Sequence, residues 1–230
     1  MKKFLLLLVI FPATALAHHS RLFIRTTNYD LGHDGLWQFV GDVNVIKSGS
    51  STETEVEPGL FLGLGKFVDW GFEIHSHFSA EDGCGLGYEA TGLEVFHRLN
   101  YDPEVNHTIG LEYEDDPFNG EPGEFHFQWI LGNLVPPTAW MANIDVSMVN
   151  ASRQKVTYGY SLAWGRTAGE RMGYALELSS DIVDHGSHEL MPEVSFNFHD
   201  EALFKFGVGV GLTKDSPDYS LRLSFVSKMN

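Results

Sequence analysis

The chain has 230 residues and a formal net charge of −16, because 31 acidic side chains outnumber 15 basic ones. This charge makes nucleic acid a poor partner, and the single cysteine, Cys84, excludes a disulfide framework. Beyond residue 17 no apolar run approaches the roughly 20 residues that a membrane-spanning helix needs. A closed sheet is therefore the one way in which this sequence can cross a bilayer.

The N-terminus has the three parts of an export signal. Lys2 and Lys3 provide a positive start, residues 4–11 an apolar core, and residues 15–17 a small-residue cleavage site. We therefore predict that residues 1–17 are a signal peptide and that the mature chain begins at His18. Loss of the two lysines would leave 13 basic against 31 acidic residues, a charge near −18.

Residues 18–35 fit three roles, and the sequence does not choose between them. Residues 22–27 suit an extra strand, and the whole segment also suits a periplasmic arm. In the third role the segment is a plug, in which Arg21 and Arg25 meet carboxylates inside a barrel.

From residue 36 to residue 230 the sequence repeats one unit, about ten residues of apolar and polar alternation followed by a turn rich in Gly, Pro, Asp or Asn. The repeat predicts an all-β fold, an antiparallel transmembrane up-and-down β-barrel of about twelve strands. The predicted strands are 36–46, 54–64, 67–78, 86–99, 105–114, 123–132, 138–148, 155–165, 171–180, 188–198, 202–213 and 218–227.

Alternate residues of a strand share a face, so each predicted strand has two registers. One register is apolar and contains all five tryptophans. The other carries carboxylates, which include Glu55 and Glu189, a few basic residues, and Gly, Ser, Thr and Asn between the charges. The candidate residues lining the lumen are Asp42, Glu57, Asp69, Glu73, Glu94, Arg98, Glu112, Glu124, Asp145, Glu177, Glu193, Lys205 and Arg222.

A soluble β-sandwich or a lipocalin-like protein also alternates, but it turns its polar face to water. Water-facing sheets usually carry many lysines, whereas the predicted mature chain has six. Tryptophan and tyrosine fall near strand ends, as Trp37, Trp140 and Tyr219 do, which matches the aromatic girdles of membrane barrels. These two features favour the membrane barrel.

The lengths of the connections predict which end of the barrel faces the periplasm. Residues 64–66 and 199–201 are tight, as periplasmic turns are, while 79–85, 115–123 and 181–187 are longer and acidic, as extracellular loops are. Outer-membrane lipid and the barrel-insertion machinery would be partners of such a chain. Barrels that this machinery recognises resemble one another in ending on an aromatic residue, and here five residues follow the matching Phe225.

Several motifs resemble those of a known family. They are Glu55-Val56-Glu57-Pro58-Gly59-Leu60 with the later Val68-Asp69-Trp70-Gly71, Leu190-Met191-Pro192-Glu193-Val194-Ser195-Phe196, and Gly209-Val210-Gly211-Leu212-Thr213. The chain resembles small outer-membrane β-barrel proteins grouped with the meta-pathway of phenol degradation, which are described as transporters. The resemblance implies a twelve-stranded barrel with a transport role and no catalytic motif.

The function that these features favour is a narrow or gated channel for small solutes in the cell outer membrane. A barrel of about twelve strands lies between filled eight-stranded barrels and open sixteen-stranded pores. The excess of carboxylates in the polar register predicts a lumen that favours cations. The alternative is a non-conducting barrel that binds a partner or a divalent metal through acidic or histidine-rich loops, or through the N-terminal histidine pair.

Histidines provide candidate metal ligands, although no cofactor is required. After cleavage His18 and His19 would lie beside a free amino group, a set that suits copper or zinc. Carboxylate and imidazole also share one strand face in two places, and a divalent metal binds such pairs. These places are Glu73 with His75 and His77, and Glu124 with His126.

Two enzyme classes were weighed, and neither is expected. A secreted copper oxygenase that uses His18 as a ligand needs a soluble core, which the apolar outward register contradicts. A lipid hydrolase of the barrel type needs Ser, His and a polar partner together at one rim. The candidates Ser76, His97 and His107 lie at different ends of their strands, so no triad is predicted.

Overall fold

The computed structural model describes residues 36–64, 69–100, 105–118, 122–133, 137–149, 155–168, 171–181, 186–198 and 202–229. These residues form twelve strands and no helix, as the alternation predicts. The strands are β1 Leu36–Ser48, β2 Ser51–Gly63, β3 Trp70–Glu81, β4 Gly87–Arg98, β5 Asn106–Asp115, β6 Glu124–Asn133, β7 Thr138–Val149, β8 Lys155–Ala168, β9 Met172–Asp181, β10 Ser187–Phe198, β11 Ala202–Gly211 and β12 Tyr219–Met229.

The strands close into an antiparallel barrel in which each strand pairs with its neighbours in the chain. β1 and β12 complete the circle, with Trp37 opposite Met229. Closure leaves no strand edge without a partner, which is what makes a barrel compatible with lipid. The end of the barrel where β1 begins and β12 ends is called the terminus end here, and the opposite end the distal end.

Residues 226–229, which follow the matching aromatic residue Phe225, belong to the closing ladder. β12 continues to Met229, and Lys228 pairs with Gln38 of β1. The last strand therefore ends two residues later than predicted, because β1 begins early enough to pair with it.

The turn between β1 and β2 is shorter than the sequence predicts. The alternation placed residues 47–53 between two strands, whereas β1 and β2 are joined by Gly49 and Ser50 alone. Gly49 has a φ of 56°, a left-handed conformation that glycine adopts without steric cost. The strands extend further because Ser48 and Ser51 still pair across the ladder.

The outer face of the barrel is apolar, as the register analysis predicted. In β8, for example, Leu162 and Trp164 are exposed while Ser161 and Ala163 between them are buried. All five tryptophans expose between 38% and 47% of their surface. An apolar outer wall on a closed sheet is the arrangement that a transmembrane barrel needs.

The inner face near the terminus end is apolar as well, which the sequence analysis did not predict. We call this set the apolar layer: Val40, Phe61, Phe96, Ile130, Ala139, Met141, Ala163, Ala175, Leu203 and Val226. The expectation that only Gly, Ser, Thr and Asn separate the charges is therefore wrong at this end. The strands here are apolar on both faces, as in Leu60-Phe61-Leu62, so the outward register alone did not reveal the layer.

Among the described residues no helix is long and apolar enough to span a membrane. The predicted signal peptide and the predicted arm, plug or extra strand at 18–35 lie outside the described residues, and so do His18 and His19.

Candidate functional site

The charged side chains divide the barrel into two walls. We call β2–β7 the acidic wall, since within their described bounds these six strands contain twelve carboxylates and one basic residue, Arg98. We call β9–β12 the mixed-charge wall, since these four strands contain four carboxylates and three basic residues. The two walls share one fold but differ in how their carboxylates are neutralised.

In the mixed-charge wall carboxylates meet fixed positive charges. Nη2 of Arg222 lies 3.5 Å from Oε2 of Glu189, and both side chains are buried. Ser220 donates a second hydrogen bond to the Glu189 carboxylate. Because a buried charge is costly unless it is paired, this contact makes Arg222 and Glu189 depend on each other.

In the acidic wall imidazoles contact the carboxylates, whereas in the mixed-charge wall an arginine does so. Nε2 of His75 lies 2.8 Å from Oε1 of Glu112, and both side chains are largely buried. Gly92 lies opposite His75 in the ladder. A Cβ at Gly92 would collide with His75 and would lie 2.6 Å from the Glu112 oxygen, so glycine provides the room for this contact.

His77 continues the network along the same strand. Its Nδ1 lies 3.9 Å from Oε2 of Glu57, and its Nε2 lies 3.9 Å from Oε1 of Glu114. The rings of His75 and His77 are nearly perpendicular, with centroids 5.0 Å apart. His77 therefore lies between carboxylates of β2 and β5.

His126 ends the network on β6. Its Nε2 lies 3.7 Å from both Oε2 of Glu114 and Oε1 of Glu124. Its Nδ1 is 2.7 Å from the hydroxyl of Ser147, which faces it across the β6–β7 ladder. This contact fixes the ring so that Nε2 points to the two carboxylates.

The backbone around His77 is irregular on both sides. On one side Pro58 of β2, which has no N–H to donate, lies in a gap of the β2–β3 ladder between the Val56–Phe78 and Gly59–His75 pairs. On the other side the β3–β4 ladder shifts register between His77 and Phe78, as at a β-bulge. Bulges re-aim side chains and are frequent beside functional sites.

All thirteen predicted lining residues lie in the described part of the chain, and none is exposed. Those at least nine-tenths buried are Glu73, Glu94, Glu177, Glu193, Lys205 and Arg222. Those of intermediate burial are Asp42, Glu57, Asp69, Arg98, Glu112, Glu124 and Asp145. Asp69 precedes β3 rather than lying in it, with a φ of 52°.

The histidine sets differ in detail from the sequence prediction. Glu73, His75 and His77 share a face of β3, but the ligand atoms that lie within 4.8 Å of one another belong to Glu57, His75 and His77. Glu57 comes from the neighbouring strand, so spacing along one strand cannot reveal it. Glu114 was missed, although it follows Glu112 in the same register.

The residues considered for a lipid hydrolase have separate partners. The Ser76 hydroxyl lies 3.0 Å from that of Thr91, while His97 stacks on Trp70 with ring centroids 4.4 Å apart. Ser76 lies six residues from Trp70, about 20 Å along the strand. Ser76 and His97 are therefore not partners of each other.

No family model and no curated protein matches the sequence. Solved structures do match. The COG4313 outer membrane channel from Pseudomonas putida F1 is 12% identical with a TM-score of 0.70, over 89% of this chain and 100% of that one. The NanC porin is 9% identical with a TM-score of 0.60, over 84% and 100%. The KdgM porin is 8% identical with a TM-score of 0.60, over 84% and 99%.

These likenesses show that the chain has the fold of a porin-like barrel. At such low identities they show the fold alone. None of the three names mentions the meta-pathway of phenol degradation, so that narrower resemblance stays a prediction.

Proposed function

We propose that this protein is an outer-membrane channel for small solutes whose interior favours cations. The observation that carries the proposal is a closed barrel with an apolar outer wall and ionisable side chains buried inside it. A charged residue inside a membrane protein is costly, and it is kept where it faces a polar path. The proteins that share the fold are named as an outer membrane channel and as porins, which supports the same role and location.

The acidic wall supports the preference for cations. Its described strands contain twelve carboxylates and one arginine, so the field along this side of the interior is negative. Rings and rows of carboxylates raise the local concentration of cations and repel anions.

The apolar layer supports a narrow or gated path. Phe96 exposes none of its surface, Ile130 2% and Phe61 3%. Any solute that crosses the barrel has to pass these side chains after it leaves the charged region. Apolar constrictions exclude water until they open, so the layer would make conduction intermittent.

Conductance of the purified protein in a planar lipid bilayer tests the proposal. We expect discrete current steps, with a reversal potential in a salt gradient that shows cation preference. The double variant Glu57→Gln with Glu114→Gln should reduce that preference, whereas Asp215→Asn, in an exposed turn, should leave it unchanged. Anion-selective steps, or equal effects of the two changes, would contradict an acidic path.

A second candidate is a non-conducting barrel that binds a partner or a metal. The apolar layer favours it, because packed side chains at the terminus end would close the interior to solutes. Insertion into the bilayer that is verified by protection from protease, together with an absence of current, would support this candidate against the channel.

A further inference from the structure

The side chains around His77 form the described group in which three metal-ligand atoms converge. One atom each from Glu57, His75 and His77 lies within 4.8 Å of the other two. The register on either side of the ladder gap, with Val56 opposite Phe78 and Gly59 opposite His75, sets Glu57 directly across from His77. Two strands therefore deliver the three ligands to one point.

The distances around His77 fit a shared ion better than they fit hydrogen bonds. His77 is 3.9 Å from both Glu57 and Glu114, whereas a hydrogen bond from nitrogen to oxygen spans about 2.7–3.2 Å. Two ligand atoms that bind one zinc ion, each at about 2.0–2.2 Å, lie about 3–4 Å apart. The separation of Nδ1 of His77 from Oε2 of Glu57 falls in this second range.

The contact of His75 with Glu112 has the form of an outer-shell interaction. Glu112 contacts Nε2 of His75 at 2.8 Å, which leaves Nδ1 to bind a metal. Carboxylates that hold the second nitrogen of a metal-binding histidine orient the ring and raise its basicity. Glu112 would therefore position His75 without binding the ion itself.

Charge gives an independent reason for a cation here. The described bounds of β2, β3, β5 and β6, from which Glu57, His77, Glu114 and His126 come, contain no lysine or arginine. The mixed-charge wall, by contrast, has Arg222 against Glu189. Carboxylates gathered without a fixed positive charge attract a mobile one.

We propose that the acidic wall binds one divalent transition-metal ion, Zn²⁺ or Cu²⁺, through Glu57, His75 and His77. Imidazole nitrogen together with carboxylate oxygen suits these ions, while Mg²⁺ and Ca²⁺ prefer oxygen ligands alone. Glu114 faces the other nitrogen of His77, Nε2, so it would hold the ring as an outer-shell partner, as Glu112 does for His75. The metal site requires a folded barrel but not a conducting one. It can therefore be tested independently of the proposed channel function.

Titration of the exported full-length protein, stripped with a chelator and held in detergent, tests the site with Zn²⁺ alone. Calorimetry should show one equivalent bound. His75→Asn, His77→Asn and Glu57→Gln should each weaken binding by more than about 10-fold, the lower end of the losses found even for outer-shell changes. The matched control is His107→Asn, because His107 lies beside Trp129 with ring centroids 6.4 Å apart, away from the group.

Electron paramagnetic resonance with Cu²⁺ gives a second readout. Nitrogen couplings from two imidazoles should appear in the unaltered protein and from one in His77→Asn. Each variant is checked for folding by circular dichroism, and Glu57→Gln, which alters no histidine, replaces any histidine variant that fails to fold. Absence of Zn²⁺ binding overturns the proposal, as does binding that all three variants leave unchanged. Loss of binding on replacing His18 and His19 by Asn, with the three variants unaffected, also overturns it.

Discussion

The acidic wall and the mixed-charge wall solve the same problem in different ways. Both turn carboxylates toward the inside of one barrel, where an isolated charge is costly. In the mixed-charge wall fixed cations contact the carboxylates, as Arg222 contacts Glu189. In the acidic wall imidazoles contact the carboxylates, as His75 contacts Glu112 and His126 contacts Glu114.

In the mixed-charge wall the partner of the carboxylate is a permanent charge of the protein, whereas in the acidic wall a cation from solution can take that place. Guanidinium stays charged at every physiological pH, so Arg222 needs no ion from solution to complete its surroundings. Imidazole, by contrast, is also the commonest protein ligand for metal ions. A wall built on imidazole and carboxylate is therefore open to cations from solution, while a wall that contains arginine carries its own permanent positive charge.

Removal of the fixed cation should have the largest effect on stability. Arg222→Ala leaves the Glu189 carboxylate, 98% buried, without the guanidinium that it contacts. Breaking a buried ion pair costs about 3–5 kcal/mol. Urea unfolding in lipid vesicles should show a loss of this size in the free energy of unfolding.

The acidic wall provides the comparison for that measurement. Glu57→Gln removes a half-buried carboxylate whose contact, at 3.9 Å, is the imidazole of His77 rather than a lysine or an arginine. We expect a change in the free energy of unfolding of about 1 kcal/mol or less, as for exposed pairs. Equal losses in the free energy of unfolding for Arg222→Ala and Glu57→Gln would contradict the difference between the two walls.

The contrast between the walls could be predicted from the sequence only in part. Alternation identified the strands and the outer face because lipid imposes an apolar side chain at every second position. The same alternation put Arg222, Lys205 and Glu193 on the inner register, and all three are buried. Composition also shows that basic residues are rarer in the first strands, because β1–β7 contain two and β8–β12 contain five.

Contacts between strands could not be predicted in the same way. The approach of Glu57 to His77 depends on how β2 and β3 pair, and a shift of one residue would turn both side chains to the other face. The ladder gap at Pro58 and the bulge after His77 are features of that pairing. The apolar layer was missed for another reason, because residues such as Phe61 and Phe96 follow apolar neighbours and give no alternation.

Filling the space beside His75 should have the next largest effect. In Gly92→Ala the new methyl group would collide with His75 and lie 2.6 Å from the Glu112 oxygen. Overpacking of this kind costs about 1–3 kcal/mol, measured as above by urea unfolding. Gly85→Ala is the control, since a Cβ there meets nothing within 4 Å. A Gly92→Ala protein as stable as the control would mean that the His75–Glu112 contact is loose.

Giving the acidic wall a fixed cation should make it behave like the mixed-charge wall. In His77→Lys the ammonium would stand among Glu57, Glu114 and their neighbours, which lie about 4 Å from the imidazole it replaces. A unit charge at about 4 Å changes the energy of a passing ion by about 1 kcal/mol in water-like surroundings, or about fivefold in occupancy. The reversal potential in a salt gradient should shift toward anions accordingly. His77→Asn separates loss of imidazole from gain of charge, and identical shifts in both variants would refute the electrostatic explanation.

A modest effect is expected for the serine that holds His126. Ser147→Ala removes a 2.7 Å contact to Nδ1 of a half-buried ring, and a hydrogen bond between such groups contributes about 0.5–1.5 kcal/mol. Ser220→Ala is its counterpart in the mixed-charge wall, where the lost partner is the buried Glu189 carboxylate and the expected cost is about 1.5–3 kcal/mol. Urea unfolding of the two variants side by side should rank them in that order. The reverse order would mean that Glu189 needs no hydrogen bond from Ser220 while Arg222 is present. The fixed cation would then stabilise the buried carboxylate by itself, whereas His126 would depend on the hydrogen bond with Ser147.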